Sequence, residues 1–132
     1  MNTTQTNLLE SLKFTSRLIG LRVNADGWKN YLWRVTIARG AASVRINYHC
    51  GTGHAKDGVP TPPKLNDVIF SLLTDWQGGR ETFKDFCACF GYDEDSRKAY
   101  KIWEACKANG EKLARLFSPD EIAELEEAFL DY

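Results

Sequence analysis

Several features are missing from this 132-residue chain, and each absence removes a class of function. No apolar run approaches the roughly 18 residues of a membrane-spanning helix. The N-terminus MNTTQTNLLESLKF lacks a basic stretch followed by an apolar one, so no secretion signal is expected. The four cysteines, Cys50, Cys87, Cys89 and Cys106, include no C-x-x-C pair, and there are only two histidines, His49 and His54. Gly53 to Gly58 has the G-x4-G frame of a phosphate loop, but Val59-Pro60 stands where Lys and Ser/Thr must be, so that chemistry is excluded. The acidic run Asp93-Glu94-Asp95 lacks the glycine and the distant bidentate glutamate of an EF-hand loop. No internal repeat is visible.

What is present suffices for one core. Apolar residues make up 43% of the chain and aromatics 12%, which suits a single domain over 1–132 and excludes a disordered chain. The net charge of −1 conceals an asymmetry. Residues 1–60 hold eight Lys/Arg against three Asp/Glu, net +5, and residues 61–132 hold nine against fifteen, net −6. The halves meet at Gly58-Val59-Pro60-Thr61-Pro62-Pro63, where fixed φ angles and missing amide donors forbid strand pairing and helix continuation. With Cys87 and Cys106 on apolar helix faces and no secretion signal, reduced thiols and a cytoplasmic protein are expected.

The stretch Phe83 to Phe117 carries the strongest helical pattern. Phe83, Phe86, Cys87 and Phe90 stand at i, i+3, i+4, i+7 and predict a short helix facing a core, with Thr82 and Asp85 as its capping box and Gly91 as its stop. A second helix is expected from Ser96 to Phe117, about 33 Å long, burying Ala99, Ile102, Trp103, Cys106, Leu113 and Phe117. Gly110 within it costs roughly 1 kcal/mol relative to Ala, which a close helix crossing or a kink would explain. Ser118-Pro119-Asp120-Glu121 starts another helix, with Ile122, Leu125 and Phe129 facing inward. Upstream, Leu8, Leu9 and Leu12 suit a helix from Gln5 to Lys13. Thr61 is placed to cap a helix that opens on Pro62 and Pro63 and carries Leu65, Val68, Ile69, Leu72 and Trp76, with Gln77 to Arg80 as a loop.

Alternation predicts three strands, around Ile19–Val23, Tyr31–Ile37 and Val44–Cys50, each with one apolar face. Arg39-Gly40-Ala41-Ala42 is short enough for a hairpin, and Asn24-Ala25-Asp26-Gly27 has turn chemistry. The expected fold is α+β: a three-stranded antiparallel meander with four to five helices packed on one face.

Three groups of residues invite a functional reading. By alternation Arg22, Arg34, Thr36, Arg45, Asn47 and His49 share the sheet face away from the helices, with Lys29 and Arg39 at its ends, a basic surface able to contact phosphates. Against this stands the solvated face that antiparallel sheets normally have, and a sequence pI of about 6.1 where nucleic-acid-binding domains commonly exceed 9. The His49–His54 loop offers His49, Cys50 and His54 as metal ligands, with Cys87 or Cys89 as a fourth. The spacing argues against it, since Cys87 and Cys89 point about 200° apart on a helix, and no metal or cofactor is expected. Cys50 beside His49 lacks an orienting acid for nucleophilic catalysis, so no catalytic residues are assigned. The third group is acidic and aromatic: Tyr92, Asp93, Glu94, Tyr100, Glu104 and Glu111 could anchor a basic protein partner.

The string F-x-D-F-C-x-x-F-G-Y-D-x-D-S-R-K-A, Phe83 to Ala99, resembles a recurrent C-terminal segment of small uncharacterised proteins encoded by phages and prophages. The likeness extends more loosely to the preceding strand pair and the Pro-then-helix step. It brings no established activity or catalytic residues. It implies expression inside a bacterial host cell, and with it a non-enzymatic accessory protein that binds a host protein or nucleoprotein complex, such as an inhibitor of host defence of the anti-CRISPR kind. The alternative is a nucleic-acid-binding module using Arg22, Arg34, Arg45, Asn47 and His49. Neither reading involves a membrane.

Overall fold

Asn2 starts the first element by closing a capping box: its Oδ1 accepts from the Gln5 amide at 2.9 Å and its own amide donates to Gln5 Oε1 at 2.9 Å. Helix α1 therefore runs Thr3–Glu10, earlier than the apolar spacing alone suggests, and the chain turns at Ser11 straight into a strand. The computed structural model describes residues 1–23, 28–54 and 60–130, and of residues 22, 23, 28 and 51–54 the backbone alone. The expected turn at Asn24–Gly27 lies outside the described residues.

Strands β1 (Leu12–Val23), β2 (Trp28–Arg39) and β3 (Ala42–His54) form an antiparallel sheet in the order 1-2-3, the expected meander. Gly40, at φ +60°, sits at the first central position of the β2–β3 hairpin, where a left-handed residue is needed and a side chain would strain it. β1 is seven residues longer at its start than the alternation indicates. A register shift between Leu18 and Gly20 explains why. Before it the even residues Leu12, Phe14 and Leu18 pair with Arg39, Ile37 and Trp33 on the core side; after it the odd residue Leu21 takes that side opposite Tyr31. A bulge that reverses phase hides a strand from a period-2 reading.

The helices cover the core face. α2 (Leu65–Thr74) starts later than Thr61, because a residue preceding proline is pushed to extended backbone. Lys64 takes the N-cap position without a side-chain bond, and Pro63 is buried ahead of it. α2 also stops before Trp76: Asp75 is extended, and its Oδ1 accepts from the Gln77 amide to cap a 3-10 turn, Trp76–Gly78, where a loop was expected. α3 (Phe83–Phe90) has the expected Gly91 stop and one half of the expected capping box, the Thr82 Oγ1 accepting from the Asp85 amide at 3.2 Å. α4 (Arg97–Ala114) is capped by Ser96 but ends three residues before Phe117, and α5 (Pro119–Ala128) opens on the Ser118/Glu121 capping box. None of these helices is long and apolar enough to cross a membrane.

The main core joins both halves of the sequence: Tyr31, Val35, Ile37 and Ile46 of the sheet pack with Val68, Ile69 and Leu72 of α2, Leu113 and Leu125. Phe86, Cys87 and Ala99 form a second, smaller cluster, with Trp76, Phe83, Tyr92, Ile102 and Trp103 around it. Phe90 departs from its predicted stripe and is 47% exposed.

Two contacts lock the layers together. Gly110 of α4 lies directly against the 3-10 turn, so that a Cβ there would sit 2.3 Å from the Gly78 carbonyl oxygen; the glycine marks a close crossing. Arg39, on the core parity of β2, donates to Glu121 Oε1 at 2.8 Å, to Glu121 Oε2 at 2.6 Å and to the Leu116 carbonyl at 2.9 Å, with its guanidinium 4.9 Å from the Phe117 ring centre. It therefore ties the hairpin to the α4–α5 junction. That fork, with the Ser118 amide, depresses the Glu121 carboxyl from 4.5 to about 2.

In an ordinary exposed helix Gly→Ala gains about 1 kcal/mol. Here Gly110→Ala is expected to lose about 1–3 kcal/mol by overpacking, read from urea unfolding midpoints. Because the folded Glu121 pKa is depressed, its contribution is complete above about pH 5 and fades as pH falls towards 2. The Tm of Glu121→Gln should thus fall less steeply over that window than that of the parent chain, and parallel curves would contradict the assignment.

Candidate functional site

The solvent-facing side of the sheet is built from cross-strand rows. One row is Thr15, Thr36, Arg45; the next is Arg17, Arg34, Asn47; beyond the bulge come Gly20, Leu32, His49 and then Arg22, Asn30, Gly51. The three strand segments contain no Asp or Glu at all. Three guanidinium groups, those of Arg17, Arg34 and Arg45, thus occupy adjacent rows with hydroxyl and amide neighbours, around a depression of about 370 Å³. Arg17 was missed from the sequence because it lies before the phase change in β1. Arg22 stands on this face by register, and Lys29 and Arg39 do not. Both follow the parity of Tyr31, Lys29 lying 5.9 Å from the Tyr31 ring centre and Arg39 bound to Glu121. The expected basic surface loses those two residues and gains Arg17.

The outer edge of β3 is closed by side chains from the helical half. Gln77, 5% exposed, acts as one residue of a neighbouring strand: its Oε1 accepts from the His49 amide at 2.7 Å and its Nε2 donates to the His49 carbonyl at 2.9 Å. Both backbone polar groups of a strand residue point the same way, so those of Arg45 and Asn47 also face this edge. Lys112 Nζ of α4 donates to the Arg45 carbonyl at 3.0 Å. The Asn109 amide reaches the Gln77 carbonyl at 3.5 Å. α4 is thereby held beside the edge and forms a wall that rises past the polar face.

Between that wall and the sheet runs a groove with two ends. The basic end is a cavity of about 640 Å³ lined by Arg34, Arg45, Asn47 and His49 on the sheet and by Ala105, Asn109 and Lys112 on α4. The aromatic end, about 720 Å³, is lined by Leu21, His49, Trp76, Phe90, Tyr92 and Ile102 among others. Leu32, His49, Trp76 and Ile102 border both, so the two are continuous, and no described residue lining either is acidic. Burial lowers the His49 pKa, which leaves the imidazole neutral near pH 7, tilted 37° against Trp76 at 5.7 Å.

His49 and Cys50 are successive strand residues and point to opposite faces, so they cannot converge on one ion or substrate. Cys50 packs against the core, and burial, with Asp67 nearby, raises its thiol pKa. Cys106 in the groove wall is pushed up to about 11 by burial and by Asp75 and Glu81, so its thiol stays protonated. Cys87 is buried and Cys89 exposed, on opposite sides of α3. The side chain of His54 and most of Gly53–Gly58 lie outside the described residues. Among the described residues no three His, Cys, Asp or Glu side chains are grouped to hold a metal.

The acidic and aromatic candidates divide between two places. Tyr92 lines the groove, stacked on Phe86 at 6.1 Å and 14°. Asp93 and Glu94 are exposed in the α3–α4 turn. Tyr100, Glu104 and Glu111 share an outward stripe of α4, where Tyr100 lies edge-on to Phe83 at 5.2 Å and is hydrogen-bonded to Glu104, which raises its pKa.

Comparison of the chain with protein-family models, with curated proteins and with solved structures found no match.

Because Gln77 supplies one donor and one acceptor to the same backbone residue, Gln77→Glu keeps the shape and sets a carboxylate oxygen against the His49 carbonyl. A loss of about 2–3 kcal/mol is expected in chemical unfolding, whereas a change below about 0.5 kcal/mol would show the edge contact to be incidental.

Proposed function

We propose that this protein binds nucleic acid through the polar face of its sheet. The observation that carries the reading is the acid-free surface on which Arg17, Arg34 and Arg45 stand in adjacent cross-strand rows and open into a groove that Lys112 borders. An ordinary solvated sheet face mixes charges of both signs; this one does not. Guanidinium groups flanked by Thr15, Thr36 and Asn47 offer forked and single donors suited to phosphate oxygens. The pI of about 6.1 does not argue against this, because the carboxylates are segregated on the helical half. What a polyanion meets is the local field of one face.

Arg34→Glu and Arg45→Glu are each expected to weaken binding of a labelled oligonucleotide about tenfold or more. Each should also lower the slope of log K against log salt by about 1. Affinity that is insensitive to salt, or that survives both charge reversals, would sink the reading.

One observation favours a second reading, docking of a host protein or nucleoprotein complex. Tyr100 is 44% exposed beside Glu104, on a helix face turned away from the groove. A single bacterial complex retained after nuclease treatment and released by Tyr100→Ala would support this reading over the first. Retention that disappears with nuclease would support the sheet face.

A further inference from the structure

The aromatic end of the groove has no role in phosphate binding, yet it is open. Phe90, which lines it, is 47% exposed. Its rings are in contact with one another and with Phe86. Trp76 stands edge-on to Phe90 at 5.5 Å and 70°, and tilted to His49 at 5.7 Å, leaving a cavity of about 720 Å³ between the sheet and α3–α4. That size is within the roughly 300–1,000 Å³ of pockets that take a flat organic group. A neutral imidazole, an indole, a phenyl ring and the Tyr92 phenol provide π-faces without a charge to desolvate.

From this placement we infer that the groove takes single-stranded nucleic acid, with an unpaired base held among Trp76, His49, Phe90 and Tyr92 while the adjoining phosphates lie against Arg34 and Arg45. The inference rests on the nucleic-acid reading above and names which form is bound. Arg45 and His49 are four residues apart on β3, about 13 Å, so the two ends serve successive parts of one strand. A duplex can present phosphates to the arginines, but its base faces are stacked on one another and cannot enter a concave aromatic cavity. An unpaired strand satisfies both ends at once, and stacking accepts any base, because each has a π-face. The free side-chain amide of Asn47, one row from His49, and the absence of acidic residues from the described lining suit the same occupant.

The test compares a labelled oligothymidine with its duplex with oligodeoxyadenosine, by fluorescence anisotropy at two salt concentrations, on the parent chain, Phe90→Ala, Trp76→Ala and Arg34→Glu. The single strand is expected to bind at least tenfold more tightly than the duplex. Phe90→Ala and Trp76→Ala should each weaken single-strand binding about tenfold, in line with the loss of one stacked base, and leave the salt slope unchanged. Phe90 is exposed, so its variant is expected to fold even if Trp76→Ala does not. Equal affinity for strand and duplex, or single-strand affinity untouched by Phe90→Ala, overturns the inference; if Arg34→Glu still abolishes binding, phosphate recognition by the sheet stands. Absence of binding to either nucleic acid at low salt overturns both.

Discussion

The arrangement of this protein depends on how the edge of β3 is covered. An open strand edge must be satisfied or protected, and here the carboxamide of Gln77 pairs with both backbone groups of His49 as a neighbouring strand would. For Gln77 to reach that position, the 3-10 turn must lie against α4 with no side chain between them, which Gly79 and Gly110 permit. Once this crossing is made, α4 stands beside the sheet and not only beneath it. The groove on the polar face follows from that displacement.

Charge segregation then gives the groove its character. The three strands carry basic residues and no carboxylates, while the helices hold most of the acidic ones. The forked ion pair of Arg39 with Glu121 lies on the core side, where it fastens the hairpin to the α4–α5 junction and neutralises both partners. Arg17, Arg34 and Arg45 are left facing solvent across from Lys112. The average charge of the chain is therefore a poor guide to the field at this face.

Much of the fold was legible in the residues. The meander, the caps at Thr82, Ser96 and Ser118, and the close approach at Gly110 could all be read from local chemistry. The length of β1 was not, because the irregularity between Leu18 and Gly20 reverses which residues face the core. The helix expected at Thr61 failed for a related reason, a steric rule imposed by the following prolines overriding a favourable capping residue. Of the candidate site, Arg34, Arg45, Asn47 and His49 were visible by alternation. The aromatic end was not, because Trp76, Phe90 and Tyr92 come from a 3-10 turn, a helix end and a turn, and only the tertiary crossing brings them to the sheet. Phe90 belongs by spacing to a buried stripe, and nothing local says that the stripe ends one residue short.

The most direct test of the groove as the working surface is a two-dimensional NMR titration of the isotopically labelled protein with a short single-stranded oligonucleotide. The side-chain resonances of Arg34, Arg45, Asn47 and Trp76 are expected to shift together along one saturable curve, while those of Tyr100 and Glu104 stay fixed. Shifts confined to the outward face of α4, or no saturable shift at low salt, would contradict the account.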